Sequence, residues 1–144
     1  MACLEFTGVT YKLAYAMELV AGYGMGVTTT TIVLSLLMWV TALLSGFVDN
    51  MPIIAAMLPV SKALFEIGLP KAYALWWGLV QGGCLGGNLT MVGSTANIVA
   101  LGVLERSRGL TVTFREWFKI GLPTVIITLA IAELLLIAQF PLMP

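Results

Sequence analysis

Two runs without a charged residue, 19–48 and 72–104, set the pattern of this chain, together with a third apolar stretch at 120–140 interrupted by Glu133. A helix that crosses a bilayer needs about 20 consecutive apolar residues, so hydropathy alone predicts three crossings. Turn and breaker residues inside the runs divide them further. In the first, "GYGMG" (22–26) is a flexible link, and Thr28, Thr29, Thr30 and Thr31 are expected to cap the helix that follows. The apolar helix predicted over 31–47 ends at "VDNMP" (48–52). Pro52 suits the first turn of a new helix. The piece it opens, 53–66, would be only ~21 Å long at 1.5 Å per residue, and it carries Pro59, Lys62 and Glu66 toward its far end. That is short of the hydrocarbon core of ~30 Å. The pattern therefore predicts a re-entrant hairpin over 28–70 with its tip near 48–52, in preference to a full span followed by a surface helix.

The second run is long enough to cross, but its middle opposes a continuous helix. Gly82, Gly83, Gly86, Gly87 and Gly93 crowd there with Asn88, Thr90, Ser94, Thr95 and Asn97. Each glycine costs a helix about 1 kcal/mol. A broken transmembrane helix is predicted over 71–104, with an unwound centre at 86–95 that is tolerated because it lines a cavity or lies inside protein. Tyr73, Trp76 and Trp77 would mark its entry interface. Gly78, Gly82 and Gly86 form a small-residue ridge for close helix packing, which implies no chemistry. Downstream, Arg106, Arg108, Arg115 and Lys119 place four of the seven basic residues in the segment 105–119, which the positive-inside rule makes cytoplasmic. Within it, "TFREWFK" (113–119) predicts an interfacial helix start, with Thr113 as N-cap and Glu116 three residues on. Residues 120–144 then form the final transmembrane helix, with the C-terminus outside along with Lys62 and Lys71. The opening segment, 1–27, reads as a partial or interfacial helix and its Gly-rich link. Glu5, Lys12 and Glu18 spoil it as a span, and it lacks the basic start of a signal peptide.

Composition makes this an integral membrane protein, and the helices predicted above make it all-α. Of 144 residues, 60% are hydrophobic and 10% charged, against about 25% charged in soluble domains. Seven basic and seven acidic residues cancel, and no basic face asks for nucleic acid. The chain has no histidine, which removes the usual general base and the usual metal ligand. Cys3 and Cys84 are far apart in apolar surroundings and read as packing residues. An intramembrane enzyme is disfavoured: Asp49 has no second acid near it in sequence, there is no GxGD pair, and Ser45 has no base to activate it.

The candidate chemistry lies in the two polar breaks, the tip at Asp49-Asn50 and the stretch Gly87 to Asn97. Broken helices expose unpaired carbonyls at one end and unpaired N–H groups at the other. Carbonyls with Asn, Ser and Thr oxygens suit Na⁺, and helix N-termini suit an anionic group; transporters build sites this way from discontinuous helices. The half-helices starting near Pro52 and near Ala96 would each aim an N-terminus at the site. An aspartate within a membrane is costly, which makes Asp49 the sharpest functional candidate, for Na⁺, for a proton, or for both in exchange. Its bland alternative is a capping residue in water. For Asn88, Thr90, Ser94, Thr95 and Asn97 that alternative is capping and interhelical hydrogen bonding. Na⁺ would be held through Asp49, Asn50, Asn88 and Asn97. Glu133 could pair with another helix or face a cavity.

"LSGFVDNMPIIAAMLP", "GGCLGGNLTMVGSTANIVALG" and "FREWFKIGLP" together resemble the C-terminal part of the ion transporter superfamily. That group includes NhaD-type sodium/proton antiporters, the melanosomal P protein, arsenite permeases and divalent anion–sodium symporters. The resemblance implies two inverted repeats, each with a re-entrant hairpin and a broken helix, in a homodimer within a lipid bilayer. It also implies that Asp49, Asn50, Pro52, Gly87, Asn88, Thr90, Gly93, Ser94 and Asn97 shape the ion and substrate site, with Thr95 beside them. The family pattern has two repeats and this chain shows one, so it reads as the C-terminal repeat, with the first repeat in the same or a separate chain. The expected function is ion-coupled secondary transport in a prokaryotic plasma membrane, with Na⁺ or H⁺ as the coupling ion and no other cofactor. It would move a cation in antiport, or a small inorganic or organic anion, by alternating access. The alternative is a non-transporting membrane subunit or truncated fragment that only packs against a partner.

Overall fold

The computed structural model describes residues 26–66 and 68–143, with Lys12, Tyr15, Ala16 and Leu19 ahead of them. The partial helix expected over 1–27 otherwise lies outside the described residues, as does Cys3. Five α-helices follow in order: α1 (Val27–Ser45), α2 (Asn50–Glu66), α3 (Ala74–Gly86), α4 (Thr95–Arg108) and α5 (Phe114–Ala138), with a 3₁₀ turn at Phe140–Leu142. No strand occurs among the described residues. Two helices, α1 and α5, are long and apolar enough to cross a membrane.

Helix α1 starts earlier than the threonines suggest. Gly26 is its N-cap without a side-chain cap, and the four threonines lie inside the first turns. Their hydroxyls turn to other work: Thr31 Oγ1 donates to the Val27 carbonyl at 3.0 Å, and Thr30 Oγ1 reaches the Pro70 carbonyl at 2.6 Å. The helix can begin at Val27 because the Gly26 carbonyl accepts from the N–H groups of Thr29 and Thr30. Helix α2 starts at Asn50, so Pro52 falls in its first turn, where a missing N–H leaves no bond unmade. At 17 residues α2 is ~25 Å long, and α1 and α2 join through a link of three residues plus the Gly46 cap.

The packing centre is α1 against α3. Gly78, Gly82 and Gly86 of α3 lie over Leu34, Met38 and Ala42 of α1, two matched rows at a spacing of four. A Cβ on Gly82 would stand 2.6 Å from the Met38 carbonyl oxygen, and one on Gly86 would collide with the Ala42 backbone. The glycine ridge thus brings two backbones together, and both helices bury Leu34, Leu37, Met38, Leu75 and Leu79 completely. Gly82→Ala would gain about 1 kcal/mol in helix propensity but must push the two backbones apart, at about 1–3 kcal/mol. We expect a lower melting temperature in detergent; an unchanged or higher one would mean that the helices are not in backbone contact.

Helix α5 runs unbroken from Phe114 to Ala138, so the interfacial segment and the final span form one helix, with no boundary at 119/120. The capping box predicted at Thr113 and Glu116 starts this whole helix: Glu116 N–H donates to Thr113 Oγ1 at 3.4 Å, and Thr113 N–H to Glu116 Oε2 at 2.8 Å. Most of its apolar side chains, including Ile120, Ile127, Leu134 and Leu135, are exposed on the protein surface, as a lipid-facing helix requires. Its inner row carries Leu129, Glu133 and Leu136. Glu133 accepts from Ser35 Oγ on one carboxylate oxygen and from Trp39 Nε1 on the other, the latter at 2.9 Å. The acid that interrupts the last apolar run therefore fastens α5 to α1.

Candidate ion site at two helix breaks

The α1–α2 tip and the α3–α4 break meet. Helix α1 ends at Ser45 and α3 at Gly86, while α2 begins at Asn50 and α4 at Thr95. Two C-terminal ends and two N-terminal starts are thereby gathered at one place. Asp49 carries the contact between the starts: its Oδ2 accepts from Thr95 Oγ1 at 2.5 Å, and its Oδ1 from Asn50 N–H at 2.8 Å. Ser94 caps α4, its hydroxyl accepting from Ala96 N–H at 3.3 Å. Pro52 is exposed in the first turn of α2 and shapes the backbone without a polar contact of its own.

Asn50 fastens the other side of the tip. Ser45 Oγ gives its one proton to the Gly83 carbonyl at 2.6 Å, so the Asn50 amide must present its nitrogen to Ser45 Oγ, 2.8 Å away. In that orientation the same nitrogen donates to the carbonyls of Gly83 and Gly93 at 3.2 Å each. A side chain on Gly87 would collide with the Asn50 amide, which is why a glycine ends α3 here.

The break itself is closed by its own side chains. Thr90 Oγ1 donates to the Gly46 carbonyl at 2.5 Å, and Asn97 Nδ2 to the carbonyls of Gly87 and Thr90 at 3.0 and 3.2 Å. Thr90 is fully buried and Asn97 is 9% exposed. Around Gly93, three carbonyl oxygens converge: a Cβ there would meet those of Gly87, Gly46 and Ser45 at 2.7, 2.8 and 2.9 Å. Glycine is present because these oxygens leave no room for a side chain. Its backbone does not need left-handed torsions, which among the described residues occur at Gly68, Lys71 and Gly109.

Of the predicted residues, the structure brings together Asp49, Asn50 and Thr95 at the helix starts and Gly87, Thr90, Gly93 and Asn97 around the carbonyls. Asn88 stands apart. Its side chain is exposed and turns back to the Leu85 carbonyl at 3.4 Å, and its own carbonyl accepts from Trp117 Nε1 at 3.1 Å. Ser45, Gly46 and Gly83 join the site although a lone serine in an apolar helix gives no sequence signal. The only hint is their place, one turn before the Asp49-Asn50 tip and in the last turn of α3. No group of three or more Cys, Asp or Glu side chains that could hold a metal ion occurs among the described residues.

Known proteins resemble this chain over most of its length. The family described as "Sodium:sulfate symporter transmembrane region" matches residues 2–143. The human P protein is 42% identical over 96 residues, which cover 65% of this chain and 11% of that protein. An uncharacterized transporter of Mycobacterium tuberculosis is 36% identical over 138 residues, 94% of this chain and 31% of its own length. One from Synechocystis is 33% identical over 147 residues, with coverages of 91% and 31%. The chain thus spans less than a third of the length of these relatives.

Proposed function

We propose, from the premise that this chain belongs to the sodium:sulfate symporter transmembrane family, that it forms the ion-binding repeat of a secondary transporter coupled to Na⁺ or H⁺. In this reading α1 and α2 form a re-entrant hairpin and α3 and α4 a broken span, which meet near mid-membrane depth. A first repeat, in the same or a separate chain, supplies the other half of the site, and the complete protein acts as a homodimer by alternating access. The segment around Arg106–Lys119 faces the cytoplasm. Transport, with no bond made or broken, is the work this asks of the residues.

The convergence of four helix ends carries the reading. Helix starts attract anions and helix ends attract cations. Here the anion at the start of α4 is the chain's own Asp49, hydrogen-bonded to Thr95. The ends of α1 and α3 turn the carbonyls of Ser45, Gly46 and Gly87 to one point; those of Gly46 and Gly87 accept from Thr90 and Asn97, and the second lone pair of each remains for a hard cation. A carboxylate at the starts of α2 and α4 favours a transported cation over a transported anion. It also favours cation exchange, in which Na⁺ and a proton compete for Asp49.

The complete protein in proteoliposomes tests this. An outward proton gradient should drive ²²Na⁺ uptake, and dissipating the gradient should abolish it. Na⁺-driven uptake of radiolabelled sulfate without Na⁺/H⁺ exchange would replace the cation reading with an anion symporter. Silence in both assays from folded protein would favour a non-transporting subunit.

A further inference from the structure

The break is held from two sides, and the proposed site uses only one of them. Toward the hairpin tip, Thr90, Asn97 and Asn50 bond the carbonyls of Gly46, Gly87, Gly83 and Gly93. On the other side lie the first two turns of α5. Trp117 Nε1 donates to the Asn88 carbonyl at 3.1 Å. Gly121, buried one turn later, lets the same backbone lie against α5: a Cβ there would stand 2.7 Å from the Asn88 oxygen and 2.9 Å from that of Leu89. A cavity of 390 Å³ lined by Asn88, Trp117, Gly121 and Thr124 opens beside this contact.

Resting on the cation-site reading above, we propose that Trp117 and Gly121 are positioning residues for ion binding: they hold the Asn88 and Leu89 carbonyls on the α5 side of the break, so that the Gly87 carbonyl faces the ion. The physical reason is that carbonyls at a helix end have no helical partner, and the indole N–H supplies one at Asn88. The turn is bonded along its length, with the N–H groups of Gly87, Asn88 and Leu89 donating to the carbonyls of Gly83, Leu85 and Gly86, so the Gly87 and Asn88 peptides move together. The indole N–H selects one orientation. Without it, the Asn88 carbonyl loses that bond and the turn is free to shift off α5, carrying with it the adjoining Gly87 carbonyl, which Asn97 holds from the tip side. The tryptophan that reads from sequence as a headgroup anchor thus ties the start of α5 to the ion site.

Trp117→Phe keeps the ring and removes the donor. In proteoliposomes of the complete protein we expect the Na⁺ concentration for half-maximal ²²Na⁺ uptake to rise about tenfold, the order expected for one unmade hydrogen bond, with the maximal rate within about twofold of wild type. Gly121→Ala presses on the same two carbonyls with the indole intact and should give the same split, whereas Phe118→Leu, which alters a ring stacked on Phe114, should give neither change. A fall in maximal rate at unchanged half-saturation in both variants, or wild-type behaviour in both, overturns the proposal. Asp49→Asn in the same assay separates the two levels. If it abolishes uptake while the α5 variants leave half-saturation unmoved, only the positioning role fails. If it leaves the ion dependence of uptake unmoved, the site reading fails with it.

Discussion

Asp49→Asn is expected to reduce ²²Na⁺ exchange by the complete protein at least ~100-fold while leaving its melting temperature within a few degrees of wild type. The substitution is nearly isosteric. Asparagine keeps a carbonyl oxygen that can accept from Thr95 Oγ1 or from the Asn50 N–H, the two bonds Asp49 makes, and it caps helix starts as well as aspartate does. What it removes is the charge. Two unit charges about 4 Å apart interact by about 4 kcal/mol at an effective dielectric constant near 20, and ~100-fold corresponds to only about 2.7 kcal/mol. If Asp49 merely capped α2, an asparagine in its place would serve equally and exchange would be unaffected. The measurement is initial-rate uptake under a proton gradient, alongside thermal unfolding in detergent. Near-wild-type exchange by a folded Asp49→Asn protein would remove the carboxylate from the mechanism.

Much of this architecture is legible in the sequence because the forces that set it are local. Charge-free runs mark the apolar helices, and the density of glycine and small polar residues marks the break, which falls between Gly86 and Thr95. The glycine ridge on α3 is readable from its spacing, since only glycine permits that backbone approach. Roles that depend on direction are not readable. Asn88 and Asn97 are the same residue type in the same break, yet Asn97 is buried across it while Asn88 points away. Their difference follows from the turn geometry of 87–93, which no residue pattern specifies. Thr30 reads as a cap because threonine caps helices, but its partner is the Pro70 carbonyl, 40 residues away. Glu133 has no evident partner in the sequence because its donors, Ser35 and Trp39, lie on α1 nearly 100 residues earlier.

Gly93→Ala is the second large effect, and it separates the site from the fold. Its Cβ would stand 2.7–2.9 Å from the backbone oxygens of Gly87, Gly46 and Ser45. No flexible side chain can yield, because all three neighbours are main chain, two at the end of α1 and one at the end of α3. The methyl group must either occupy the space proposed for the ion or drive the tip and the break apart, and each outcome removes the converging carbonyls. We expect ²²Na⁺ exchange to fall ~100-fold or more and thermal stability to fall by about 1–3 kcal/mol, the range for overpacking. Gly102→Ala is the matched comparison. Gly102 lies inside α4 with open space where its Cβ would go, so alanine should stabilise that helix by up to about 1 kcal/mol and leave exchange at the wild-type rate. The contrast isolates geometry from residue type: both changes add one methyl group to a glycine in the same predicted span. Exchange surviving in Gly93→Ala would mean that the three carbonyls do not face the ion, and the cation site would then have to be sought on the Asp49–Thr95 side of the tip.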